Sequence, residues 1–360
     1  MTQGDTIPAT DAQSPEVSVV VIGRNEGERL KRCLGSIRAA DYPQNRIELL
    51  YVDTDSTDDS CSVAESLGAK VISITPERRS AAAGRNAGLA VARHELVHFL
   101  DGDTILHPAW LAKAVETIIE PDVAGVYGRR EEIAPDATLY NFWMHHDWYV
   151  PPGRVETCGG DVLFRRDALI EAGGYDASLI AGEERDLCFR LIRDQGITLI
   201  RLDEPMTRHD ANMTRFGQYW HRCFRSGYAY AQVGARYPGL KAWRHTCARN
   251  LAHALVALVV IGLTIGLRSV IPLAVWLALL FLAIARDAAR CRPQVGSTRG
   301  AILYALHHYL SKAPTIAGHL AYYRRHLFGG RPQALIEYRG TAPPRPTNPA
   351  AVAQTNEGAS

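Results

Sequence analysis

Residues 251–285 form an apolar run of thirty-five residues whose one formal charge, Arg268, falls near its middle. As a single helix it would measure about 52 Å at 1.5 Å per residue, far beyond a hydrocarbon core of ~30 Å. Divided at Arg268, it leaves two seventeen-residue segments, 251–267 and 269–285, each at the lower limit for spanning. Pro272 then falls in the first turn of the second segment, where proline is tolerated. The alternative is a hairpin buried inside a soluble domain. It needs two long helices without a polar face, which such domains rarely contain. Lys241, Arg244 and Arg249 precede the run, and Arg286, Arg290 and Arg292 follow it. Positive flanks place both ends in the cytoplasm, with a tight turn that crosses or re-enters. The expectation is a transmembrane or re-entrant hairpin at 251–285, in the cell (inner) membrane.

Charge divides the rest of the chain. Residues 1–200 hold 20 Lys/Arg against 32 Asp/Glu, a net of −12, while residues 201–360 hold 20 against 6, a net of +14. The basic half suits anionic membrane lipids as partners, and no nucleic-acid partner is expected. Residues 236–250 read as a basic juxtamembrane segment. Residues 286–340 read as a basic amphipathic segment on the membrane surface, broken near Pro314. Residues 1–16 are polar, without the charged start and apolar run of a secretory signal. They and the Pro/Ala/Thr-rich residues 341–360 are expected to be disordered. Seven scattered cysteines with no CxxC pair argue against a disulfide framework or zinc ribbon, and for a reducing compartment.

Upstream of 235, strand-like and helix-like patterns alternate. Residues 17–22, 47–53, 69–74 and 96–101 are apolar runs, and Leu30, Cys33, Leu34 and Ile37 follow the first at helical spacing. Small-residue and amphipathic helices are expected at 81–92 and 108–118. Continuous apolar strands between helices imply an α/β fold with a parallel sheet covered on both faces. Ligands of such sheets bind beyond the carboxyl ends of the strands. Two strands end there in acid, at Asp53 with Asp55 and at Asp101 with Asp103.

Asp101-Gly102-Asp103 sets two carboxylates on one turn, where they can converge on a hard cation such as Mg²⁺ or Mn²⁺. Alone, such a tripeptide is more often an ordinary turn; its place at the end of a buried strand favours the metal. Asp53 and Asp55 can hold ribose hydroxyls or a base edge, while Ser56 to Asp59 are explained by helix capping. Gly182-Glu183-Glu184-Arg185-Asp186 opens a helix. Carboxylates there suit the helix dipole, and one of them is a candidate general base. Gly159 and Gly160, with Gly173 and Gly174, let backbone approach a ligand closely.

In this order the motifs resemble family-two inverting nucleotide-sugar glycosyltransferases of GT-A fold, of the membrane-associated bacterial type, over residues 17–209. Asn25 and Glu26 match the opening strand's Asn-Glu, and Asp53 and Asp55 the base- and ribose-binding strand end. Gly84-Arg85-Asn86-Ala87-Gly88 matches the segment before the metal motif, and Asp101 and Asp103 the metal-binding Asp-x-Asp. Gly173-Gly174-Tyr175 with Gly182-Glu183-Glu184 matches the acceptor-side element that ends in the catalytic acid. The resemblance implies a GT-A domain at 17–235 with a mostly parallel sheet, followed by the hairpin and amphipathic helix.

It also implies Glu184 as catalytic base. Asp103, Asp101 and His209 become the metal ligands for Mg²⁺ or Mn²⁺, and Asn25, Glu26, Asp53, Asp55, Arg85, Asp101, Gly160 and Glu183 the substrate contacts. Beyond the resemblance, Trp220 and Arg222, with Arg225, are expected on a helix leading to the membrane, facing the acceptor phosphate as substrate contacts or else lipid headgroups. The expected donor is a nucleotide-diphospho-sugar, with uridine the commonest base. The expected acceptor is a lipid-linked glycan or glycolipid of cell-envelope or exopolysaccharide synthesis. The family's usual catalytic aspartate is replaced by Glu184. Gln218-Tyr219-Trp220-His221-Arg222 lacks the Gln-x-x-Arg-Trp of polymer synthases, which favours transfer of a single sugar. A sugar-nucleotide nucleotidyltransferase and a non-catalytic, membrane-tethered binding module are the competing classes.

Overall fold

The computed structural model describes residues 14–77, 79–179 and 181–329. The 341–360 tail and most of the 1–16 terminus, both expected to be disordered, lie outside the described residues. The chain runs β1 (Val17–Gly23), α1 (Glu28–Arg38), β2 (Ile47–Asp53), α2 (Ser60–Ser66), β3 (Lys70–Ser73), α3 (Ala81–Val91), β4 (Leu96–Asp101), β5 (Thr104–Leu106), α4 (Trp110–Ile118) and β6 (Val123–Glu132). It continues through α5 (Leu139–Asp147), β7 (Gly153–Val155), β8 (Val162–Arg165), α6 (Arg166–Glu171), α7 (Glu183–Gln195) and β9 (Thr198–His209). The last helices are α8 (Phe216–Arg236), α9 (Lys241–Gly266), α10 (Ile271–Val295), α11 (Thr298–Leu310) and α12 (Lys312–Phe328).

Among the described residues, the strands form one sheet in the order β3-β2-β1-β4-β8-β6-β9-β5, with β7 beside β9. The first four strands are parallel, as their continuous apolar runs predict. Beyond β4 the sheet is mixed. β8 inserts antiparallel between β4 and β6, β9 runs parallel to β6, and β5 and β7 pair antiparallel with β9. In the register of β1, Gly23 faces Asp53 on one side and Ile22 faces Asp101 on the other, so the two acidic strand ends share one edge.

The helices that cover the sheet are cut to fit it. α1 buries Leu30, Cys33, Leu34 and Ile37, the i, i+3, i+4, i+7 stripe. The Ser80 hydroxyl caps α3 by accepting from the Ala83 N–H at 3.1 Å. A Cβ on Gly88 of α3 would lie 2.2 Å from Val20 Cγ1, so glycine is what lets this helix lie so close to β1.

α9 and α10 form the expected hairpin, turning at residues 267–270 with Arg268 at φ 49. At 26 and 25 residues they exceed the two apolar segments, because helix continues through the basic flanks. Both are long and apolar enough to cross a membrane, yet only 6% of each apolar window is buried, which is not how the core hairpin of a soluble fold packs. Leu258, Ile265 and Phe281 are 67%, 71% and 70% exposed.

α11 and α12 break at Ser311, three residues before Pro314. The sequence suggests a segment lying on a membrane surface, but these helices bury a face against the rest of the chain. Tyr304 of α11 joins Trp143, Met144, Tyr219 and Cys223 of α5 and α8 in a second core. α12 crosses α8 at nearly backbone contact: a Cβ on Gly227 would lie 2.1 Å from the Thr315 oxygen, and one on Gly318 2.2 Å from the Phe224 oxygen.

Candidate active site

β4 ends at Asp101, and Asp103 occupies the turn into β5. Antiparallel pairing sets Thr104 opposite His209, the last residue of β9, so two segments a hundred residues apart meet at this turn. The Nε2 atom of His209 lies 3.4 Å from Asp103 Oδ1. The ligand atoms of Asp101, Asp103 and His209 all fall within 4.8 Å of one another. Two carboxylates and an imidazole in that space fit a divalent cation, the carboxylates favouring a hard one.

Arg85 of α3 organises the other half of the site. Its buried guanidinium reaches Asp101 Oδ1 at 2.9 Å, Glu183 Oε1 at 3.2 Å and Glu184 Oε1 at 3.3 Å. The ring of Tyr175 lies beneath it, 5.4 Å away. Asn86, the next residue, clamps Tyr175 from both sides: its amide nitrogen donates to the Tyr175 oxygen at 2.7 Å, and its oxygen accepts the Tyr175 N–H at 2.8 Å. The sequence Arg85-Asn86 thus ties the metal motif to the Gly173-Gly174-Tyr175 element. Gly160 leaves room for this, since a Cβ there would lie 2.2 Å from Arg85 Nη2 and 3.1 Å from Asp101 Oδ2.

Glu183 and Glu184 open α7 behind Gly182, whose φ of 82 suits glycine. They differ in access, with side chains 9% and 22% exposed. Desolvation, reinforced by the charge of Glu183 and opposed by Arg85, pushes the Glu184 carboxyl up to about 7. Asp186, in the same turn, is fully buried and binds Arg190, Arg236 and the Tyr237 hydroxyl, tying α7 to α8.

At the far end of the edge, Asn25 has φ 53, and its side chain accepts the Thr57 N–H at 2.7 Å. The neighbouring Glu26 pairs with Arg29 at 3.0 Å. Asp53 is buried and holds the loop, accepting the Ser56 N–H at 2.9 Å and the Tyr51 hydroxyl at 3.2 Å. Asp55 is more open and pairs with Arg79. Trp220 packs 5.9 Å from Phe216 in the first turns of α8. Arg222 lines a cavity among the C-terminal helices.

Sequence reasoning passed over Asp161 and Arg130. Asp161 is fully buried and accepts from the Asp101 N–H at 3.1 Å and the Thr207 hydroxyl at 2.8 Å. Arg130 binds it at 2.7 Å and reaches Asp101 at 3.8 Å. A signal was present in Gly159-Gly160-Asp161-Val162, a third carboxylate at a strand mouth. Trp148, also passed over, lies against the His209 ring at 4.8 Å.

Residues 18–169 match the family described as Glycosyl transferase family 2. The chain is 28% identical over 228 residues to glycosyltransferase AglE of Haloferax volcanii, covering 61% of this chain and 74% of that one. It is 28% identical over 263 residues to beta-monoglucosyldiacylglycerol synthase of Synechocystis, covering 68% of this chain and 52% of the relative, about half its length. The fold is similar to that of a mannosyltransferase from Pyrobaculum calidifontis in complex with GDP-Man and Mn²⁺, with a TM-score of 0.60 and 21% identity over 84% of this chain and 90% of that one.

Proposed function

The chain is a glycosyltransferase carrying a family 2 domain, and from that premise we propose that it transfers one sugar, with inversion, from a nucleotide-diphospho-sugar to a membrane-presented acceptor. The observation that carries this reading is the Arg85 guanidinium, which holds Asp101 on the metal side and Glu183 and Glu184 on the acceptor side of one network.

Asp101, Asp103 and His209 would hold the cation, Mg²⁺ or Mn²⁺, which when bound neutralises charge developing on the departing diphosphate. Asp161 and Arg130 position Asp101 through its N–H and carboxylate. Asn25, Glu26 and Asp55 line the nucleotide end, and Asp53 shapes that loop. Glu184 is the base, being the more accessible acid of the pair and having a carboxyl pushed up to about 7. It takes the acceptor hydroxyl's proton as that oxygen bonds to the anomeric carbon from the face opposite the diphosphate. The carbon–oxygen bond to the diphosphate breaks, and the nucleoside diphosphate leaves with the electron pair. A base whose pKa lies near the working pH suits such a transfer.

The donor base is expected to be uridine. The hairpin anchors the catalytic domain on the cytoplasmic face of the cell membrane, since basic residues flank both of its ends. A role in cell-envelope or exopolysaccharide synthesis follows from a membrane-bound acceptor. Incubating the detergent-solubilised protein with radiolabelled nucleotide sugars, Mn²⁺ and membrane lipid extract tests the proposal. Nucleotide release with label entering the lipid phase is the expected result. Pyrophosphate exchange, or donor binding without turnover, would refute it.

A further inference from the structure

A cavity of about 680 Å³ lies among α8, α9, α10, α11 and α12, bounded on one side by the end of α5. Two of its walls lead to the reaction centre. Trp148 lines the cavity and packs against His209 of the candidate cation site at 4.8 Å. Tyr230 lines it too and meets Trp243 edge-on at 4.7 Å, and Trp243 packs beside Gly182, the residue before Glu183 and Glu184. Packed aromatic rings therefore link the cavity to the cation site and to the turn before Glu183 and Glu184.

Its charge is positive. Arg222, Arg249, Arg286 and Lys312 line it against Asp147 and Asp287. The carboxylates are engaged within the wall: Asp147 by His307 at 2.9 Å and the Tyr304 hydroxyl at 3.0 Å, Asp287 by Arg286 and the Tyr309 hydroxyl, each at 2.9 Å. Burial lowers the Lys312 ammonium from its ordinary value, and the Arg249 charge acts in the same direction, as in a site that an anion would relieve. The two helices that carry Arg249 and Arg286 run on into the exposed apolar hairpin. Leu255 and Leu258 follow Arg249 along α9, and Phe281 precedes Arg286 along α10, all more than half exposed. Cations at the foot of an apolar surface match a molecule with an anionic head and an apolar tail.

We propose that this cavity takes the phosphate in the headgroup of the acceptor lipid, with Arg249 and Lys312 as its main anion contacts, so that the acceptor hydroxyl is carried by a phosphorylated lipid and not by a neutral glycolipid. The assignment rests on the acceptor reading above. Calorimetry on the full chain in detergent, with farnesyl phosphate, farnesol and inorganic phosphate as probes, tests it. Farnesyl phosphate should bind at least about tenfold tighter than farnesol, and equimolar inorganic phosphate should not displace it. Arg249→Ala combined with Lys312→Ala should bring its affinity down to that of farnesol. Arg249→Lys should retain binding, and Arg299→Ala, on the exposed start of α11, should change nothing. Equal binding of farnesol and farnesyl phosphate, displacement by inorganic phosphate, or an equal loss in Arg299→Ala would overturn the proposal. Nucleotide-sugar binding with Mn²⁺, measured on each preparation, certifies the fold and separates the two readings. A protein that binds donor but ignores the phosphate head loses only this assignment. One that selects the phosphate head yet binds no donor keeps a phospholipid site and loses the transferase mechanism.

Discussion

Glu184 sits where two fields oppose each other: desolvation and the charge of Glu183 favour its proton, while Arg85 favours its loss. The balance near 7 has a kinetic signature. The base works deprotonated, so turnover should rise with pH through about 7 and level off above it. Glu184→Gln keeps the size and hydrogen bonding but removes the base. Turnover should fall by ~10²–10⁴-fold, roughly 3–5 kcal/mol of barrier, with the pH limb lost and donor affinity retained. Glu183→Gln should cost less; the reverse order of effects would move the base by one residue. On the metal side, Asp103→Ala should abolish divalent-dependent donor binding in calorimetry, because Asp101 and His209 alone offer a weak site. Identical donor affinity with and without chelator, in wild type and variant alike, would return Asp101-Gly102-Asp103 to the status of a turn. Asp103 was legible because it stands two residues beyond the end of a buried strand. Asp161 was not, because its importance comes from accepting the N–H of Asp101, sixty positions away.

Helices α8 and α12 meet through Gly227 and Gly318, and the atoms a side chain would strike are main-chain oxygens that cannot swing aside. Gly318→Ala should therefore destabilise by about 1–3 kcal/mol, as overpacking does, read as a lower urea midpoint. Gly35→Ala is the control. Gly35 lies in α1 with nothing within 4 Å of an added Cβ, and alanine there should stabilise by roughly 0.5–1 kcal/mol. Equal responses at the two positions would show that the α8–α12 crossing is not tight in solution. The amphipathic pattern of residues 300–328 was readable, yet its apolar face had two possible claimants, lipid and protein. Only the close approach at the two glycines shows that protein takes much of it.

At the scale of the whole molecule, an acidic sheet domain is joined through basic helices to an unburied apolar hairpin. If α9 and α10 insert in the bilayer, the protein should resist extraction by 1 M salt and by carbonate, and require detergent. Attachment by the basic half alone would fail in 1 M salt, where the Debye length falls from ~10 Å at 0.1 M to ~3 Å. Release by salt would refute insertion without touching the catalytic assignment. The sequence by itself determined what is local: the apolar strands with acid at their ends, the split hairpin at Arg268, and the acids at the start of α7. These depend on side-chain period, capping and run length, which neighbouring residues set. Tertiary structure alone decided which distant pieces meet. The insertion of β8 between β4 and β6, the β5–β9 pairing that brings His209 to Asp103, and the reach of Arg85 to three carboxylates all close long loops. Strand direction and register across such loops are set by how the whole core packs, and no local pattern of residues encodes that.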